Sequence, residues 1–123
     1  MRAVWIGVAG FAGAVSRYSV EGWVSQRTRG AFPWGTLVIN VSGCFVLGFL
    51  FTLLTDRFLP HPTVRSALTI GFLGAYTTFS TFAFETMRLA EDGARLLAAT
   101  NVVAGVVAGL AAVYAGVWLG RTL

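Results

Sequence analysis

Read only for hydrophobic and polar positions, the chain falls into four long apolar stretches at about residues 3–26, 34–56, 63–89 and 95–119. A hydrocarbon core about 30 Å thick takes roughly 20 apolar residues in helical form, so each stretch is long enough to cross it. The breaks between them are short and polar, as in Ala90-Glu91-Asp92-Gly93. The pattern predicts an all-α membrane protein, a single four-helix transmembrane unit covering residues 1–123. Almost nothing is left over for a soluble catalytic domain, so the chain reads as no enzyme.

The third stretch departs from a merely greasy helix. Gly71-Phe-Leu-Gly-Ala-Tyr-Thr-Thr-Phe-Ser-Thr-Phe82 places the hydroxyls of Thr77, Thr78, Ser80 and Thr81 around Phe79, close after Gly71 and Gly74. This density of hydroxyls and glycines predicts a helix broken at bilayer depth. Backbone that leaves a helix there is tolerated only where protein buries it or a watery path runs beside it. A polar conduit is the leading idea.

The other stretches carry fewer exceptions. Gly7, Gly10 and Gly13 in the first are small enough to let neighbouring helices approach. Arg17 and Glu21, four apart, share a helical face, either as a pair near the span end or tying helices together. The second stretch opens with Phe32-Pro33-Trp34, a proline suited to a first turn beside interface aromatics. Asn40 follows; it could bond a neighbouring helix, or offer its two amide donors to an anion stripped of water. Glu85 and Arg88 stand near a mouth, and Gly105, Gly109, Gly116 and Gly120 read as packing seams in the fourth stretch.

Composition fits this picture: 56% of residues are hydrophobic and 11% charged. The net charge of +4 comes from arginines scattered at the span ends, not from a basic stripe, which argues for membrane flanks over nucleic-acid binding. The apolar N-terminus has the look of a signal peptide, but Arg17, Tyr18 and Glu21 continue its helical pattern. Cys44 is the single cysteine, so no intrachain disulfide can form, and His61, alone between two prolines, is a poor metal ligand. By side, Arg2, Arg57, Arg65 and Arg121 balance Arg27, Arg29, Arg88 and Arg95. Orientation follows the arginine and lysine bias of the flanks, and a tie predicts insertion both ways, which permits an antiparallel homodimer.

Phe79 and Phe82, three apart, lie along one helical face. Aromatic edges are positive, so two rings turned edge-on offer a small anion a water-poor track. Ser80, Thr81 and Asn40 could donate hydrogen bonds beside it. The chain has no lysine, so an anion path here would run on dipoles. The bland alternative makes both rings ordinary lipid or core contacts.

Three motifs together, Gly13-Ala14-x-x-Arg17-Tyr18, Gly35-Thr36-Leu37-x-x-Asn40-x-x-Gly43 and Gly71-Phe72-x-Gly74-x-x-Thr77-Thr78-Phe79-Ser80-Thr81-Phe82, resemble the Fluc (CrcB) fluoride-channel family across all four spans. The resemblance implies an antiparallel, dual-topology homodimer in the plasma (inner) membrane, multi-pass, with two fluoride pores lined by Asn40, Phe79 and Phe82. It implies passive export of fluoride from the cytoplasm, which lowers its toxicity. It also implies a structural sodium ion at the dimer centre, held by backbone carbonyls matching Gly74 and Thr77. The fourth span departs from the family, which commonly carries Tyr and then Ser where Asn101 and Gly105 stand here. Asn101 can still donate a hydrogen bond; Gly105 has no hydroxyl.

Two other classes compete with the channel. One is a small dual-topology proton-coupled exporter of cationic compounds, which needs a titratable carboxylate central to the bundle. Glu21 is the only acid in the first span and lies close to its end. The other is a non-transporting assembly subunit.

Overall fold

The computed structural model describes all 123 residues, and its regular structure is entirely helical. Helix α1 covers Arg2–Ser25, α2 Trp34–Asp56 and α6 Arg95–Thr122, each without interruption. The third apolar stretch is composite: α3 (Pro62–Ser66), a π-helical segment (Ala67–Leu73), α4 (Gly74–Tyr76) and α5 (Phe79–Glu91). Four helical units, Arg2–Arg27, Trp34–Asp56, Pro62–Glu91 and Arg95–Thr122, are long and apolar enough to cross a membrane.

Local chemistry explains the ends. Pro62 sits in the first turn of α3, where its missing N–H costs nothing. His61 caps that helix, its ring Nδ1 accepting from the Thr63 N–H at 3.1 Å. Gly93, at φ +83°, makes the reversal between α5 and α6 possible.

Packing inverts the rule for proteins in water. Only 16 residues are buried, and eight of these are glycines. Large apolar side chains point outward instead: Phe11 is 74% exposed, Tyr114 75% and Leu96 81%. A surface this apolar has no place in water but suits lipid. Without a hydrophobic drive between helices, cohesion comes from close backbone approach at small residues.

Two seams carry that approach. Between α2 and α6, Gly116 lies against the Phe45 carbonyl and Gly120 against Thr52, while Gly48 lies against the Val113 carbonyl. Between α1 and the π-helical segment, Gly13 meets the Phe72 carbonyl and Gly71 meets that of Ile6. The sequence reading grouped Gly7 with these, but no heavy atom of another helix lies within 4 Å of a side chain built there. Gly7 lies on an exposed face of α1, whereas Gly10 and Gly13 face the π-helical segment. Gly105 also departs from the seam it was assigned, as described below.

These contacts order two substitutions. Gly116→Val drives a branched side chain into α2 backbone and should lower stability in detergent by at least the roughly 1–3 kcal/mol typical of overpacking. Gly7→Ala meets open space and should stay within about 0.5 kcal/mol of the parent. Thermal melting of the two purified variants by circular dichroism checks the order.

Candidate functional site around Asn40 and Phe82

Thr77 (φ −85°, ψ 158°) and Thr78 (φ −149°, ψ 111°) have extended backbone between α4 and α5. Peptide groups in this conformation leave the helical ladder and need other partners. The Thr77 N–H keeps its bond to the Leu73 carbonyl at 3.1 Å, and Asn40, on the middle of α2, supplies partners to Thr78. Its Oδ1 accepts from the Thr78 N–H at 2.8 Å, and its Nδ2 donates to the Thr78 carbonyl at 3.0 Å. One primary amide thus pairs with both polar groups of one residue, as a neighbouring β-strand would.

The surrounding side chains hold the same segment. Thr78 caps α5, its Oγ1 accepting from the Thr81 N–H at 3.2 Å and donating to the Thr81 hydroxyl at 2.9 Å. Thr77 Oγ1 donates back to the Leu73 carbonyl at 3.0 Å, and its methyl packs on Gly43. The Ser42 and Tyr76 hydroxyls lie 3.0 Å apart. From α1, Arg17 Nε donates to the Ala75 carbonyl at 3.2 Å. Arg17 therefore ties helices together and makes no pair with Glu21. The Glu21 Oε1 instead accepts from the buried Thr36 hydroxyl at 3.2 Å.

Asn40, Gly74, Thr77, Phe79 and Phe82 line one cavity of about 310 Å³ together with Gly105. The Phe79 and Phe82 rings have centroids 5.8 Å apart and are tilted by 46°; they are inclined to each other and not stacked in parallel. Phe79 is 79% exposed. Ser80 and Thr81 are not part of the lining, although Thr81 is bonded to Thr78, which is. The cavity therefore joins two aromatic rings to an amide that retains one N–H beyond its bond to Thr78. It holds no titratable side chain other than the Cys44 thiol.

The chain matches a family model described as CrcB-like protein, Camphor Resistance (CrcB), over residues 4–117. It belongs to the CrcB family. It is 44% identical over 123 residues to a protein of Solibacter usitatus named fluoride-specific ion channel FluC, covering all of this chain and 98% of that one. It is 45% identical over 120 residues to a protein of the same name from Citrifermentans bemidjiense, covering 98% and 97%. A third, from Magnetococcus marinus, is 39% identical over the full length of both.

Within this CrcB chain, the sequence reading named Thr36 and Glu85 without their surroundings and passed over Thr86. Thr36 reaches Glu21 across helices. Glu85 has a buried Oε1 without a hydrogen-bond partner. Thr86 accepts from the Asn101 amide at 2.9 Å. Their polar character inside apolar spans was the available signal; the partners of Thr36 and Thr86 lie 15 residues away in sequence, each on another helix.

Replacing Asn40 by Leu leaves both backbone groups of Thr78 unpaired, which should cost about 1–3 kcal/mol for each. The Thr78 amide should exchange with solvent far faster than in the parent, while the α6 amides remain protected. Hydrogen exchange read by mass spectrometry over residues 73–82 measures it.

Proposed function

We propose that this chain is a fluoride-selective passive ion channel that exports fluoride from the cytoplasm and so lowers its toxicity. The observation that carries the reading is its full-length similarity to relatives named fluoride-specific ion channels. The geometry supports it, because Asn40, Phe79 and Phe82 converge on one cavity inside a helical unit able to cross a membrane. The names of the relatives give an exporter of cationic compounds no support.

Each element of the cavity has a part in such a path. A fluoride ion leaving water needs donors, and the site offers the free Asn40 N–H with the positive edges of two tilted rings. Ser80 and Thr81 carry hydroxyls on the first turn of α5 outside the cavity lining, and Thr81 bears on it through its bond to Thr78. The permeant meets no lysine, so it is bound by dipoles weakly enough to leave. Hydrogen fluoride crosses lipid as a neutral acid and dissociates in a less acidic cytoplasm. An interior-negative potential then drives the anion outward by about 2.3 kcal/mol per 100 mV, so a passive pore in the plasma membrane is sufficient.

The working unit in this reading is an antiparallel, dual-topology homodimer. The four-to-four arginine balance supports it, as does the exposed Phe79, which a second copy would cover. A sodium ion fits at its centre. In a continuous helix the Thr78 N–H would reach the Gly74 carbonyl, but here it goes to Asn40. Gly74 is itself exposed, so its carbonyl and that of the extended Thr77 suit a hard cation. Bound there, sodium supplies positive charge that steadies the two chains. The interruption at Thr77 and Thr78 serves in this scheme to turn these carbonyls outward.

Purified protein in liposomes should release fluoride without a proton gradient, with chloride flux far lower; equal fluxes count against selectivity. Phe82→Ile and Asn40→Asp should each depress fluoride flux strongly without dissociating the dimer. Normal conduction by both variants rules out the assigned pore. Single cysteines in the loop between α2 and α3, on a Cys44→Ala background, should label from both faces of intact cells. Labelling from one face alone excludes dual topology.

A further inference from the structure

The fourth span meets the proposed ion path at one point where this chain has no side chain. A Cβ built on Gly105 would lie 2.8 Å from Phe82 Cε1, 3.4 Å from Cζ and 3.5 Å from Cδ1. No backbone atom is that close to it; the obstruction is one edge of the Phe82 ring. The ring thus rests directly on the α6 backbone, in space that any other residue at 105 would fill. The remaining glycines of α6 behave differently. Gly116 and Gly120 accept α2 itself, while a Cβ on Gly109 would meet only Cys44 Sγ at an ordinary 3.6 Å.

A second feature acts on the same ring from one turn away. Asn101 is 2% exposed, so its amide must be satisfied inside the protein. Its Nδ2 donates to Thr86 Oγ1 at 2.9 Å, and Thr86 Oγ1 donates in turn to the Phe82 carbonyl at 2.8 Å. The relay runs from α6 to the backbone of the residue whose ring Gly105 receives. It fixes α5 against α6 in the register that the seat requires.

We propose that Gly105 is a positioning residue for ion permeation, seating the Phe82 ring against α6, with the Asn101–Thr86 relay holding that seat in register. The inference rests on the assignment of Phe82 to the ion path. The fourth span then contributes to that path through the ring it holds and not through a hydroxyl of its own. A side chain at 105 forces the ring toward Phe79 and into the cavity, changing the 5.8 Å, 46° arrangement of the pair. Because a side-chain tip yields and not a helix backbone, the fold survives the change while the path does not.

Fluoride efflux from liposomes, followed with a fluoride electrode beside chloride efflux and thermal melting, tests this. Gly105→Ala should lower fluoride flux about tenfold, the scale set by forcing a side chain well off its rotamer, with melting unchanged. Gly109→Ala, one turn along, should conduct as the parent does. Thr86→Val should also reduce flux, and Thr86→Ser, which keeps the hydroxyl, should restore it. Parental flux in Gly105→Ala overturns the seat, provided that Phe82→Ile is impaired in the same assay. Parental flux in Phe82→Ile overturns the pore assignment itself. Equal loss in Thr86→Val and Thr86→Ser overturns the relay.

Discussion

In a hydrocarbon medium each backbone N–H and C=O must find its partner within the protein, because lipid offers none. Nearly all of this chain meets that constraint through helical ladders. At Thr77 and Thr78 the ladder lapses, and the bidentate pairing of the Asn40 amide with Thr78 takes over. Much of the site's organisation depends on this pairing. It lets α5 begin afresh with Thr78 as its cap, which sets the direction in which Phe79 and Phe82 leave the helix. It also diverts the one N–H that would otherwise satisfy Gly74.

The rest of the fold places those two partners within reach. Glycine seams bring α2 against α6 and the π-helical segment against α1, closer than any larger residue allows. Arg17 then fastens α1 to the Ala75 carbonyl of α4, just before the extended residues that Asn40 holds from α2. A charged group in a span is costly unless it works inside the protein, and this one restrains backbone. Asn40 is likewise already engaged through its oxygen and one hydrogen. In the proposed path for anions it has a single N–H left to donate, so positioning and donation would be combined in one side chain.

The cavity lining combines two kinds of chemistry. Around Asn40 the walls are polar and tied by hydrogen bonds. Around Phe82 they are apolar and shaped by contact alone: the ring lies between Phe79 and the bare backbone at Gly105. An aromatic ring is positive at its edge and negative on its face, so what such a wall offers depends on orientation more than on composition.

Much was legible in the sequence. Four apolar stretches of spanning length can only be read as membrane helices, because length and hydropathy are properties of the chain itself. The hydroxyl-rich run at Thr77 to Thr81 was visible as an anomaly for the same reason. What Asn40 bonds could not be read, since Thr78 lies 38 residues away and a pairing at that distance exists only once two helices have docked. Nor could the sequence separate Gly105 from Gly116, both glycines of one helix. Tertiary structure alone sets a ring against the first and a helix backbone against the second. Periodicity and hydropathy are local and summed along the chain, whereas a glycine's meaning lies in which neighbour fills the space it leaves.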